Sequence, residues 1–203
     1  MNEFSSEPDP APPMLPTTQA AEGVPRLAWS LEQLDRLSEL GFFGEFDRVE
    51  LIEGELVPMQ AKGGRHENLK TKLLNWFARR LPEDVELSVE LGWRPGGNTY
   101  LEPDIVLSRT GRSPSTIKPR EMLLVIEVSD SSKKFDRGRK ARLYAGLGVR
   151  EYWSIDAATL ETRIFREPTP EGYTSTNDQP PTATLTPLLV PALAIELRSL
   201  QLG

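Results

Sequence analysis

The chain has 203 residues, no cysteine and a single histidine, and 30 acidic residues stand against 24 basic ones. That length allows one well-cored domain but not two large ones. The missing cysteines exclude a disulfide framework, and one histidine excludes a four-ligand Cys/His zinc site, so any metal is held by oxygen. A net charge of −6 excludes a protein that coats nucleic acid through overall positive charge, and makes local charge the quantity to follow.

Residues 1–26 carry six prolines and little apolar periodicity, the composition of a disordered arm, and residues 27–203 are expected to form one domain. No basic n-region with an apolar core opens the chain, and no apolar run is long enough for a bilayer. A soluble, cytoplasmic protein without membrane partners is expected.

"WSLEQLDRLSELG" predicts a short amphipathic helix, with Ser30 and Gln33 at capping-box spacing, leucines at 31, 34, 37 and 40, and Gly41 to close it. "RVELIEGELVPM" predicts a hairpin about Glu53-Gly54, with Glu50 and Glu53 in or beside it. After the loop "QAKGGR", Leu69, Leu73, Trp76, Phe77 and Leu81 recur at helical spacing and predict a core-facing helix that begins near His66.

"ELSVELGWRPGGNTYLEPDIVLSR" returns to period two about the turn Gly96-Gly97-Asn98, and "EMLLVIEV" follows as a third strand; these three are expected at the sheet's centre. A helix over about 134–146 comes next, with Gly138 a weak point inside it. "VREYWSIDAATLETRIFRE" gives two more strands about an Asp-Ala-Ala-Thr turn, and "LTPLLVPALAIEL" is a proline-broken apolar end. The order describes an α/β (α+β) fold, a mixed sheet flanked by helices with an N-terminal hairpin, and no glycine-rich phosphate loop interrupts it.

Alternation places Glu102 and Asp104 on one side of an extended segment, and groups Leu123, Val125 and Glu127 on one face of the next strand. If these strands are neighbours, Asp104 and Glu127 approach and repel, and both burial and repulsion are relieved by a divalent cation. Oxygen ligands with positions left for water suit Mg²⁺ or Mn²⁺. On the following helix Lys133, Arg137, Lys140 and Tyr144 share a face, and Asp136 stands one turn before Lys140. A lysine there can orient the attacking water while a metal stabilises charge on phosphoryl oxygens.

Bland readings stand beside these. Glu127 can pair with Lys133 or Arg137 at an exposed strand end, and Lys140 can bridge Asp136 on a solvated helix face. His66 can cap or face solvent, Asp104 and Glu53 can be turn residues, and Glu102 can face solvent. Residues 62–80 hold six basic side chains against one acid and residues 118–150 nine against four, so a positive field around an acidic pocket would suit a polyanion.

Pro103-Asp104, followed 23 residues later by Glu127-Val128, resembles the PD-(D/E)XK signature of restriction-endonuclease-like nucleases. Ser129 occupies the place where that signature has lysine. "VELIEGELV", "RHENL", "EPDIVL", "LLVIEVSDSS" and "DRGRKARLYAGLGVREYWSID" together are similar to the Uma-two family within that superfamily, over roughly residues 28–200. The resemblance implies a Mg²⁺-dependent (or Mn²⁺-dependent) endodeoxyribonuclease that leaves 5′-phosphate and 3′-hydroxyl ends on DNA. It makes Asp104 and Glu127 metal ligands, with the Val128 backbone carbonyl beside them, and Lys140 the catalytic lysine, moved from strand to helix. Asp136, His66 and Glu53 fall at positions that recur near such sites. Duplex cleavage with two sites suggests a homodimer or higher homo-oligomer. The alternative is an inactive nuclease-fold protein that acts as a nucleic-acid-binding or assembly module, encouraged by Ser129 and the acidic total.

Overall fold

The computed structural model describes residues 17–19, 25–44, 48–59, 62–111 and 116–200. In chain order, β1 (Thr17–Gln19) and β2 (Pro25–Leu27) precede α1 (Leu31–Glu39), the hairpin β3 (Val49–Ile52) and β4 (Glu55–Pro58), and α2 (Gly64–Ala78). Then come β5 (Val85–Val89), β6 (Ile105–Arg109), β7 (Met122–Ser129), a helical segment built from α3 (Lys133–Phe135), a π-turn (Asp136–Lys140) and α4 (Ala141–Leu147), and β8 (Glu151–Asp156). β9 (Thr162–Thr169), β10 (Gly172–Gln179) and the short β11 (Thr184–Leu185) and β12 (Ile195–Glu196) complete the fold.

Six strands form one mixed sheet in the order β10-β9-β8-β7-β6-β5. Its neighbours run antiparallel except β7 and β8, which are parallel and therefore need the α3–α4 crossover between them. All eight residues of β7 are buried, which a strand reaches only with both faces covered; a near-continuous apolar run is the sequence form of that placement. On one face Leu69, Leu73 and Phe77 of α2 pack on Leu124, Ile126 and Trp153; on the other Ile52, Trp93 and Tyr144 pack on Val125 and Tyr152.

Local chemistry accounts for much of the rest. The Ser30 hydroxyl accepts from the Gln33 N–H and the Gln33 side chain accepts from the Ser30 N–H, closing the expected capping box of α1. Glu53 and Gly54 both take positive φ, 53° and 87°, the two-residue turn that matches strand twist in a hairpin. The turn at Gly96-Gly97-Asn98 also has positive φ throughout, though the hairpin arms around it are broken into single bridges such as Trp93 to Leu101.

Two expectations are corrected, one strand is added and one helix is refined. β5 is an edge strand, and β8 takes the central place beside β7, because the crossover adds it in parallel. β10, "GYTSTNDQ", is an added strand: as the other edge strand it has no buried residue, half of it is exposed, and it lacks the apolar alternation by which strands are read. Leu123 does not share a face with Val125 and Glu127; the register shifts between Leu107 and Ser108, so Leu123 bulges and packs with Leu124 and Ile126. The helix after β7 is present but wound around a π-turn that contains Gly138.

Of the arm read at residues 1–26, residues 1–16 and 20–24 lie outside the described residues, and Thr17–Gln19 pairs with Pro25–Leu27. Among the described residues no helix is long and apolar enough to cross a membrane.

Candidate active site

Asp104 lies one residue before β6, and the pairing of Ile105 with Ile126 sets it opposite the end of β7, where Glu127 stands. The Val128 N–H donates to Asp104 Oδ2 at 2.9 Å, so the aspartate is fastened to the glutamate's own strand. Both carboxylates are buried and both line a cleft of about 740 Å³.

The helical segment supplies Lys140. Its Nζ lies 2.8 Å from Glu127 Oε1 and 2.9 Å from Glu50 Oε1, and all three side chains are buried. Tyr144, also buried, donates its hydroxyl to Glu127 Oε1 at 2.8 Å. Glu127 is thus partnered by Lys140, not by Lys133 or Arg137, and Lys140 by Glu127 and Glu50, not by Asp136. The shared face expected for the helical cations is not kept either. Lys133 pairs with Asp156, and Arg137 donates to the Ser154 hydroxyl and the Glu161 carbonyl. The extra residue in the π-turn shifts the phase between the two helical halves, which sends Lys133 and Arg137 toward β8 and Lys140 toward β7.

Asp136 is buried at the start of that turn and accepts from the hydroxyls of Ser129, at 2.7 Å, and Ser132. Ser129 therefore fastens the π-turn to the strand end while Lys140 occupies the carboxylate neighbourhood from the helix. His66 is neither a cap nor a surface group: it is buried, with Nε2 3.0 Å from Asp104 Oδ2 and Nδ1 3.1 Å from Glu67 Oε1. Glu102 lines the cleft rather than facing bulk solvent, ion-paired with Arg48 and accepting from the Tyr100 hydroxyl at 2.6 Å.

Glu53 is not brought to this site. Its turn projects it outward, 66% exposed, with Arg139 at 3.8 Å, and it lines a separate cavity of about 410 Å³. Glu50, three residues earlier, takes the place expected of it. Backbone bonds between Leu51 and Tyr100 dock the hairpin on the segment before Asp104, and Glu50 Oε1 accepts from the Glu102 N–H at 2.9 Å. Lys62, Glu90 and Tyr144 complete the surroundings. Lys62 Nζ bridges Asp104 Oδ1 (3.0 Å) and Glu90 Oε1 (2.6 Å), and Glu90 also holds Lys70 and Arg48. Of these only Glu50 and Tyr144 had a signal, a buried-strand position and a helical spacing; Lys62 and Glu90 sit where loops and a left-handed residue bring them, with Glu90 at φ 48°.

The two central carboxyls are pushed apart. Burial raises Glu127; Lys140 opposes it, but Asp104, Asp136 and Glu50 add to it, and the group is held up at about 8. Burial also works to raise Asp104, but His66, Lys62 and the Val128 N–H outweigh it and hold the carboxyl well below the usual range. Burial works to lower Lys140, and Glu127, Glu50 and Asp136 overcome it and keep the ammonium charged. Asp136 is raised, by burial first.

Glu50, Glu102, Asp104, Glu127 and Asp136 thus line the cleft with Lys140, Lys62 and His66, an oxygen-rich set in which Glu127 and Asp136 resist ionisation. Among the described residues no three His, Asp or Glu side chains form a ready chelate. Two carboxylates with water in the remaining positions are what Mg²⁺ commonly takes, so the donor set fits such an ion at Asp104 and Glu127.

A crystal structure described as "a putative nuclease belonging to DUF820" from Anabaena variabilis ATCC 29413 shares the fold, with TM-score 0.60 and 16% identity over 75% of this chain and 88% of that one. No protein with a curated description matches the chain. The Uma2 family model, described as "Putative restriction endonuclease", matches residues 31–199. Spanning most of the chain and all of the cleft's acids and cations named above, that match places the protein in the Uma2 family, on a nuclease-like fold.

Proposed function

We propose that the protein is a metal-dependent nuclease that hydrolyses phosphodiester bonds of DNA at the cleft between β6, β7 and the π-turn. The observation that carries this reading is the Lys140 ammonium 2.8 Å from Glu127, on the strand to which Asp104 is hydrogen-bonded. Asp104 and Glu127, with the Val128 carbonyl beside them, are the groups that would hold Mg²⁺ or Mn²⁺. A bound divalent ion supplies Lewis-acid stabilisation of charge developing on the phosphoryl oxygens.

The chain's own residues do the remainder. Lys140, fixed between Glu50 and Glu127, presents a permanent positive charge to the attacking water and to the phosphoryl group. Tyr144 and Glu50 hold Glu127 and Lys140 at their positions, so little reorganisation is needed when substrate arrives. His66 fixes Asp104 Oδ2. Two chains about a two-fold axis would set two such sites on the two strands of a duplex, and we infer a homodimer on that ground.

Plasmid nicking in Mg²⁺ or Mn²⁺ tests the reading. Wild type is expected to cleave, leaving 5′-phosphate and 3′-hydroxyl ends, and Asp104→Ala, Glu127→Ala and Lys140→Ala are expected to lose cleavage. Equal cleavage by all four proteins would place the activity elsewhere. One observation favours a second reading, a binding module without catalysis: the Lys140 ammonium is already shared by two carboxylates. Mn²⁺ calorimetry separates the two, because a working site binds the ion and Glu127→Ala abolishes that binding.

A further inference from the structure

Two lysines reach the acids of the cleft, and they are held in different ways. Lys140 rises from a helix, and it and both its partners, Glu50 and Glu127, are buried. Lys62 sits in the loop before α2, is 17% exposed, and divides its ammonium between Asp104 Oδ1 and Glu90 Oε1. Glu90 has two further cations, Lys70 at 2.6 Å and Arg48 at 3.3 Å. Departure of Lys62 would leave Glu90 still neutralised, whereas departure of Lys140 would strand two buried carboxylates.

Asp104 Oδ2 is already used by His66 and the Val128 N–H, so Oδ1 is the oxygen left for an ion, and Lys62 is on it. We propose that Lys62 is a resident counter-ion of the metal site, seated on Asp104 until a divalent cation displaces it, and that the displaced ammonium then pairs with a phosphate of the nucleic acid. This rests on the nuclease reading above. The physical ground is exclusion: an ammonium and a divalent ion cannot share one buried carboxylate oxygen without strong mutual repulsion. Lys62 lines the cleft, and its four-carbon stem keeps the charge there after it leaves Asp104. A phosphate entering beside Asp104 is the anion that can take it up.

The consequence is a trade between ligands that Lys140 does not show. Mn²⁺ titration by calorimetry should find Lys62→Met and Lys62→Gln binding the ion about tenfold more tightly than wild type, the size of one modest competing ion pair. Lys62→Arg, which keeps the charge, should stay near wild type. A side chain that merely supported the fold could not raise affinity when removed. With Ca²⁺ as the ion, the logarithmic salt dependence of binding to a fluorescent DNA duplex should lose about 0.9 in slope in Lys62→Met, the share of one phosphate contact. Lys62→Met and Lys62→Gln proteins that bind Mn²⁺ no more tightly than wild type would overturn the counter-ion role, and an unchanged slope would overturn the phosphate contact. Wild type that binds no Mn²⁺ would instead remove the nuclease reading and this inference with it.

Discussion

Two glutamates on adjacent strands are both buried and are partnered in opposite ways. Glu151, at the start of β8, is sealed by donors: the Trp153 indole N–H at 2.9 Å, two N–H groups of Arg166 at 2.9 and 2.6 Å, and the Leu188 backbone N–H at 2.6 Å, spread over both carboxylate oxygens. Glu127, near the end of β7, has Lys140 and Tyr144, both on Oε1, and it lines the cleft. The first is a buried charge satisfied for the sake of the fold. The second is left under-served and surrounded by other acids, an arrangement that a folded chain retains at a cost. Burial is common to both; the supply of donors is what separates them.

The largest expected difference is in catalysis. Glu127→Gln should reduce plasmid cleavage by at least ~10³-fold, the several kcal/mol of charge stabilisation that a bound divalent ion supplies. Glu151→Gln should leave the rate of the folded protein near wild type. A comparable loss in both would erase the distinction.

Stability should reverse the order. Arg166→Ala removes the one cation paired with Glu151 among the described residues and should cost about 3–5 kcal/mol in urea unfolding, because it leaves a buried charge without its counter-ion. Glu127→Gln should stabilise the metal-free protein above neutral pH. The sign follows from the proton: folding raises the Glu127 carboxyl from 4.5 to about 8, so its contribution is fully present below about pH 4.5 and is lost as pH rises toward 8. Asp136, raised by burial, acts in the same direction. The metal-free wild type should therefore melt at falling temperature across that range, and Glu127→Gln should flatten the decline; a wild-type melting temperature that rose toward pH 8 would contradict the burial argument. The smallest effect belongs to an exposed pair: Arg163→Ala breaks the contact with Asp178 and should cost about 0.2–1 kcal/mol, further reduced by salt.

The strands and helices were legible where one physical signal dominated. Capping chemistry at Ser30, positive φ at Glu53-Gly54 and the unbroken apolar run of β7 each showed in the residues themselves. Asp104 and Glu127 were legible as a pair because strand alternation and adjacency are enough to bring them together. Lys140 follows from the cationic helix face and more firmly from the resemblance, but no residue-level rule foresees a π-turn, and a regular helix favours the bridge to Asp136. Glu50 and Glu53 read alike as acids in or beside one hairpin, and only docking of the hairpin on Tyr100 shows which of the two faces inward. Lys62 and Glu90 depend on loop paths, and Leu123 on a bulge, none of which periodicity encodes.

The π-turn at Asp136–Lys140 makes this geometry a matter of chain length as well as residue identity. Regular winding advances about 100° per residue, so deleting a single residue such as Gly138 would turn one half of the segment by that angle relative to the other. Either Asp136 would come off the serines that fasten it, or Lys140 and Tyr144 would come off Glu127. Every residue named in the site could be kept and the site still be dismantled. A shortened homologue that retained all of these acids and cations would therefore need a compensating insertion nearby to retain their arrangement.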